Sequence, residues 1–461
     1  MKYALILAGT LLYLGPPASF AADELANEGE PIPATRPEMK AALESLKQRR
    51  PRIPLPRSAA AGFNDGRMRA AYLPETWIGG GNPQIDQTAV PKLDHQLIDP
   101  SFWVVSRSNH CYYCLGHQEL KLRSSGLNDD TIAALDSDWS VFQPRQRAAL
   151  TFSRKLTLEP HLVGEADIAA LKQLFTDVEI IELTFHIARF NAMNRWADGL
   201  GLPQERPAGA GRSFETPTSE RFQKAISVVA PIGQVARPPL PSLKEVKAAL
   251  AACRERQARV SLLSEVQARK ALVGVVGDRS PLNWERAMAQ FAGAGPPTVA
   301  IFNTMATDDH LSVRFKAELA LISAIHNRAW YAAGHAAHRL HGLGVSTDEM
   351  AALFETFPLP SREKTDIPLP SREGLEEGPA HGAASGDTPR PQRERGIAAS
   401  HRLAAKLTAE PHTVTDADIA AVCEHFSDAE TAQIVHVICM ANFFDRFTEA
   451  LGLPLEAGIC E

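Results

Sequence analysis

Apolar residues in this chain recur at helical spacing. Between Ile180 and Met193 the positions Ile180, Leu183, Phe185, Ile187, Ala188, Phe190 and Met193 stay apolar over more than three turns, which predicts a long helix with a buried stripe. The run Glu165-Ala166-Asp167-Ile168-Ala169-Ala170-Leu171 opens with acids, which favour a helix N-terminus, and continues with helical periodicity. Period-two runs of β-branched residues, the mark of half-buried strands, are absent. The expected fold class is all-α.

The pattern also repeats. The stretch Cys111-Tyr112-Tyr113-Cys114-Leu115-Gly116-His117 returns as Ala329-Trp330-Tyr331-Ala332-Ala333-Gly334-His335, with Asn109 on Asn327 at the same offset. Upstream, Glu38-Met39-Lys40-Ala41-Ala42-Leu43 matches Glu245-Val246-Lys247-Ala248-Ala249-Leu250; downstream, Lys155-Leu156-Thr157 matches Lys406-Leu407-Thr408, and Leu200-Gly201-Leu202-Pro203 matches Leu451-Gly452-Leu453-Pro454. The chain is an internal duplication in which one copy has lost both thiols. The offset jumps across 357–396, a stretch rich in Pro, Gly and charge that spells Pro-Leu-Pro-Ser-Arg-Glu twice. That composition predicts a disordered insert, with a proline-rich docking segment as the alternative. The expected partition is 1–21 signal peptide, 22–37 N-terminal linker, 38–207 first repeat, 208–242 Pro-rich linker and 243–461 second repeat carrying the insert.

Length and charge narrow the setting. A chain of 461 residues suits two or three domains. Lys2, the apolar run from Tyr3 to Leu14 and the small-residue site Ser19-Phe20-Ala21 read as a secretory signal peptide, so an exported protein, periplasmic or secreted, is expected. No later segment has the roughly 18 apolar residues of a membrane helix, and no stable membrane anchor is expected. A net charge of −6 without a basic stripe makes nucleic acid a poor partner.

Cys111 and Cys114 carry the candidate chemistry. Two cysteines three apart on a helix share a face at an α-carbon separation of roughly 5 to 6 Å, within disulfide range. His117, a further turn along, can move a proton to or from a thiol. Ser108 or Asn109 would cap a helix starting just before Cys111, and a thiol in a first turn is activated; a helix running unbroken from Asp99-Pro100 would instead leave activation to His117 and a carboxylate. Haem attachment would need His in place of Leu115, and a zinc site from Cys111, Cys114 and His117 lacks a fourth ligand. A structural disulfide remains open, although so short a loop adds little stability. Cys253, Cys423, Cys439 and Cys460 have no partner thiol in the first copy and are expected to be idle; His110 and His186 are expected as surface or core residues, and Tyr112 and Tyr113 as core or pocket.

These residues, with Phe190-Asn191-Ala192-Met193-Asn194-Arg195-Trp196-Ala197-Asp198-Gly199-Leu200-Gly201 downstream, resemble the carboxymuconolactone decarboxylase-like superfamily, and within it the alkylhydroperoxidase D-like and peroxidase-related members. The resemblance covers about 93–203 and, more faintly, 311–454. It implies two tandem alkylhydroperoxidase D-like helical domains, with Cys114 attacking a hydroperoxide, Cys111 resolving the sulfenic acid as a disulfide, and His117 relaying the proton. It implies no cofactor or metal, an external dithiol electron donor, and a tendency to form homo-oligomers. The family carries a Glu about a dozen residues before the first Cys; Glu318 keeps that column in the second copy, Pro100 takes it in the first, and Asp99 is the candidate replacement. Many members also place the His four rather than three after the second Cys. Asn191, Asn194 and Arg195 are expected to pin helix ends. The second copy is expected to stand in for a subunit, with a ligand pocket using His335 and Glu318 as the alternative. A lyase acting on a lactone and a noncatalytic interaction protein stand beside the redox reading.

Overall fold

In a computed structural model of the chain, the described residues are 32–56, 62–78, 93–205, 214, 218–231, 237–291, 293–308, 310–355 and 390–459. The expected signal peptide, most of the expected insert and Cys460 lie outside them. The first copy carries α1 (Arg36–Ser45), α2 (Asn64–Tyr72), α3 (His95–Ser108), α4 (Tyr112–Ser124), α5 (Asp129–Ser137), α6 (Pro144–Leu158), α7 (Glu165–Lys172) and α8 (Asp177–Gly199). After the short α9 (Glu220–Gln223) come α10 (Leu243–Glu255), α11 (Glu265–Ala271), α12 (Asn283–Met288), α13 (Gly295–Thr307), α14 (Val313–Asn327), α15 (Trp330–Gly342), α16 (Thr347–Glu355), α17 (Arg390–Ala409), α18 (Asp416–Cys423) and α19 (Asp428–Ala450). The all-α expectation holds: among the described residues the only β pairing is an isolated bridge between Thr35 and Ile226.

Two boundaries differ from expectation. Residues 390–396, placed in the insert from composition, form the first turns of α17. The linker between the copies folds back onto the first one: Phe214, Phe222 and Val229 are buried with Met39, Leu43, Trp103 and Ile132, and the Ser227 and Val228 amides donate to the carbonyls of Ala34 and Asp136. Phe214 and Phe222 stand alone in the sequence, and of the mostly apolar run 225–230 Val229 and Ala230 are buried while Ile226 and Val228 stay exposed.

The long helices α8 and α19 form the centre. Each is 23 residues long and starts at a capping box, Thr176 with Glu179 and Ser427 with Glu430, which satisfies the free amides of the first turn. They pack on each other and are buried on nearly every face, as a central helix must be. Reciprocal bonds cross between the copies. Arg195 Nη2 donates to the Thr408 carbonyl at 2.9 Å, and its counterpart Arg446 donates to the Thr157 carbonyl at 3.2 Å. Arg52 pairs with Asp416 at 2.8 Å, and its counterpart Arg259 with Glu165 at 3.0 Å. The copies are therefore interlocked about a pseudo-twofold relation, and the described residues form one compact unit. Within the first copy, Arg36 grips Glu119 with both terminal nitrogens at 3.1 and 3.0 Å, and Trp103 Nε1 donates to the same carboxylate at 2.7 Å, which fixes α4 against α1 and α3.

Among the described residues no helix is long and apolar enough to cross a membrane.

Candidate thiol site and its altered counterpart

The thiols stand where two helices meet. α3 ends with His110 in the left-handed region at φ 56°, the Cys111 amide donating back to the Ser106 carbonyl and the His110 amide to that of Arg107. This Schellman closure lets Cys111 become the N-cap of α4 directly, with Cys114 in the first turn. The cap thus falls on Cys111 rather than on Ser108 or Asn109. Asn109 is occupied otherwise, its amide donating to Asn191 Oδ1 at 3.0 Å and Asn194 Oδ1 at 2.9 Å, so α8 holds the break in place. The second copy repeats the geometry: Arg328 has φ 51°, Ala329 is the N-cap of α15, and Asn327 donates to Asn442 and Asp445.

Cys111 and Cys114 are both buried and both free thiols. They lie within hydrogen-bond reach of each other, and burial pushes the Cys111 thiol well up, with Cys114 and the Asp198 carboxylate adding to the effect. Asp198 is also within hydrogen-bond reach of Cys111. Burial raises this carboxyl to about 7, against the pull of Arg49, Cys111, Arg52 and Arg195. Its Oδ2 has no hydrogen-bond partner among the described residues. A buried acid that changes charge near neutrality thus faces one member of a thiol pair. The other member, Cys114, sits where the N-terminus of α4 favours negative charge.

His117 lies one turn beyond Cys114, but its ring nitrogens are both engaged. Nδ1–H donates to the Tyr113 carbonyl at 2.8 Å and Nε2 meets Glu205 Oε2 at 2.7 Å. Burial opposes the charged imidazole, yet the Glu205 carboxylate outweighs it and holds the His117 pKa above its ordinary value. Glu205 itself is driven down to about 2 against burial, by His117, the Asn64 amide at 2.6 Å and the Tyr113 hydroxyl at 2.8 Å. His117, expected to move the thiol proton, is bonded to the Tyr113 carbonyl and Glu205, and the acid beside Cys111 is Asp198. Asp99 is also corrected as the far end of the relay, because it is bound to Lys121 at 2.8 Å with His95 at 3.8 Å, and the carboxylate that reaches His117 is Glu205.

The second copy separates architecture from chemistry. Tyr331, Glu456 and His335 rebuild the Tyr113, Glu205 and His117 set, at 2.7 Å from Tyr331 Oη and 2.9 Å from His335 Nε2 to the carboxylate, although Ala329 and Ala332 stand in place of the cysteine pair. That set anchors the segment after the long helix, where Gln204 also bonds the Tyr113 carbonyl and crosses Gly116 so closely that a β-carbon there would meet Nε2 at 2.1 Å. What differs is the thiol pair and its acid. At the counterpart of Asp198 the longer Glu449 accepts from the Trp330 amide at 3.0 Å and pairs with Arg256 at 2.7 Å, occupying the helix N-terminus over Ala329. Shortening that side chain by one methylene and restoring sulfur turns a structural cap into a polar thiol site.

Neither Glu205 nor Asp198 was singled out from sequence. The repeat continues two residues beyond Pro203 and Pro454 to Glu205 and Glu456, and that extension would have exposed the first of them. No protein-family model and no curated protein matches this chain.

Proposed function

We propose that this protein is an exported thiol-dependent peroxidase or dithiol-disulfide oxidoreductase of the alkylhydroperoxidase D-like kind, with Cys114 as nucleophile and Cys111 as resolving thiol. The observation that carries this reading is the pair of free, touching thiols at the head of α4 with the ionisable Asp198 against one of them. A purely structural disulfide has no need of a buried acid poised near neutrality.

The steps follow from the placement. Cys114, as thiolate, attacks the terminal oxygen of a hydroperoxide; the O–O bond breaks, the alkoxide leaves as an alcohol after taking a proton, and Cys114 becomes a sulfenic acid. Cys111 passes its proton to Asp198 and attacks the Cys114 sulfur. The S–O bond breaks, hydroxide leaves as water with a proton, and the two sulfurs are joined. An external dithiol then returns two electrons and two protons. The imidazolium of His117, held by Glu205, adds positive charge a turn from Cys114. The second copy supplies the surface a partner subunit would otherwise cover, through the reciprocal Arg195 and Arg446 bonds.

The test is turnover of cumene hydroperoxide with dithiothreitol as donor, comparing the wild type with Cys114→Ser. Loss of turnover supports the assignment. Unchanged turnover removes it, and activity on a lactone that survives alkylation of both thiols would move the protein to the lyase reading.

A further inference from the structure

The second copy has not merely lost its thiols; it has been hollowed. In the first copy Phe102 of α3 and Phe190 of α8 stack face to face, ring centres 3.8 Å apart. At the same offsets that align the two copies, both rings become alanines, Ala320 on α14 and Ala441 on α19. Cys114 and Gln118 likewise become Ala332 and Ala336. All four alanines line a cavity of about 350 Å³, walled by the edge-to-face rings of Trp284, Phe302 and Phe444. That volume is at the small end of ligand pockets, enough for one ring or a short branched chain.

One charge at this cavity has lost its partner. Lys121 in the first copy is neutralised by Asp99 at 2.8 Å. Its counterpart Arg339 keeps the cation, while the counterpart of Asp99 is Ala317, and both Arg339 and Ala317 line the cavity. Arg339 is exposed to solvent, which places it at the opening; Nη1 donates to the Ala306 carbonyl at 2.8 Å, and no carboxylate pairs with it among the described residues. The other ionisable groups of the lining are engaged within the protein: Lys316 with Asp308 at 2.9 Å, His335 with Glu456 at 2.9 Å, and Asp445 with the Asn327 amide at 2.8 Å. Exposed His338 adds a second basic side chain at the opening.

We propose that the second copy binds a small apolar carboxylic acid, whose hydrocarbon fills the hollow left by the missing aromatic pair and whose carboxylate stands beside Arg339 in place of the deleted aspartate. The guanidinium can meet a carboxylate with two parallel bonds, and the alanines and aromatic rings of the lining favour an apolar body on the ligand. The site uses no thiol, so it stands or falls apart from the redox reading.

Isothermal titration of the full chain with cinnamate, octanoate and the neutral cinnamyl alcohol tests this. Cinnamate or octanoate is expected to bind, and the acid at least about tenfold more tightly than the alcohol, as the loss of a charge-assisted pair requires. Ala317→Asp, which rebuilds the first copy's ion pair, should abolish that preference. The double substitution Ala320→Phe with Ala441→Phe, which restores the first copy's rings, should abolish binding of all three probes, with circular dichroism confirming the fold. The proposal is overturned if neither acid binds, if the alcohol binds as tightly as the acid, or if binding persists unchanged in the folded double variant.

Discussion

Asp198→Asn probes the acid that, with the thiol pair, sets this site apart from its silent counterpart. Burial raises Asp198 from an ordinary 3.8 to about 7, a gap of about three units, or about 4 kcal/mol at most. The sign follows from proton binding. Between pH about 4 and about 7 the folded chain keeps a proton that the unfolded chain has released, so this group lowers stability as pH rises through that window, and the cost is complete above it. Asparagine carries no such proton. Urea unfolding of the reduced proteins should therefore show the variant gaining on the wild type by up to about 4 kcal/mol between pH 4 and pH 8, whatever constant offset the new amide introduces. Asp445, which burial also raises, is common to both proteins and cancels in the comparison. The same substitution removes the proton acceptor beside Cys111. Closure of the disulfide from the sulfenic acid should slow about a hundredfold, the lower range for losing a general base, and a dimedone adduct at Cys114 should accumulate. The wild-type closing rate should rise through pH about 7. A difference in stability that does not vary with pH, together with an unchanged closing rate, would refute the role assigned to Asp198.

Further expectations concern the frame. Arg195→Met leaves the buried Thr408 carbonyl and Asn191 side chain short of a donor and should cost about 2 kcal/mol in urea unfolding, and its mirror Arg446→Met a similar amount. Both variants should still unfold in a single transition, and separate transitions for the two copies would contradict the interlock. Glu205→Gln removes the carboxylate that holds the His117 proton, so the His117 pKa followed by NMR should fall; an unmoved value would show that the pair is not formed.

The helical class was legible because amphipathic spacing survives in α7 and α8, and the duplication because packing demands are the same in both copies. The thiol pair was legible from spacing alone. A helix start just before Cys111 was expected, but not that Cys111 itself caps it: left-handed backbone at His110 gives no signal of the kind a glycine would. Asp99 lies one residue before the relay column held by Pro100, and that position on α3 directs it to Lys121 instead. Glu205 and Asp198 reach the site from the end of α8 and the segment after it, nearly a hundred residues from the thiols in the chain, where only tertiary packing sets the juxtaposition. The folded-back linker was not legible for the same reason, since only tertiary packing buries Phe214, Phe222 and Val229 against the first copy.

Peptide mass spectrometry after one equivalent of hydroperoxide tests the central claim most directly. The reduced chain should convert to a form lighter by two hydrogens, with the bond located between Cys111 and Cys114, and a dithiol should reverse it. Two thiols left unchanged by the peroxide, or a bond that forms elsewhere among the cysteines, would contradict the account.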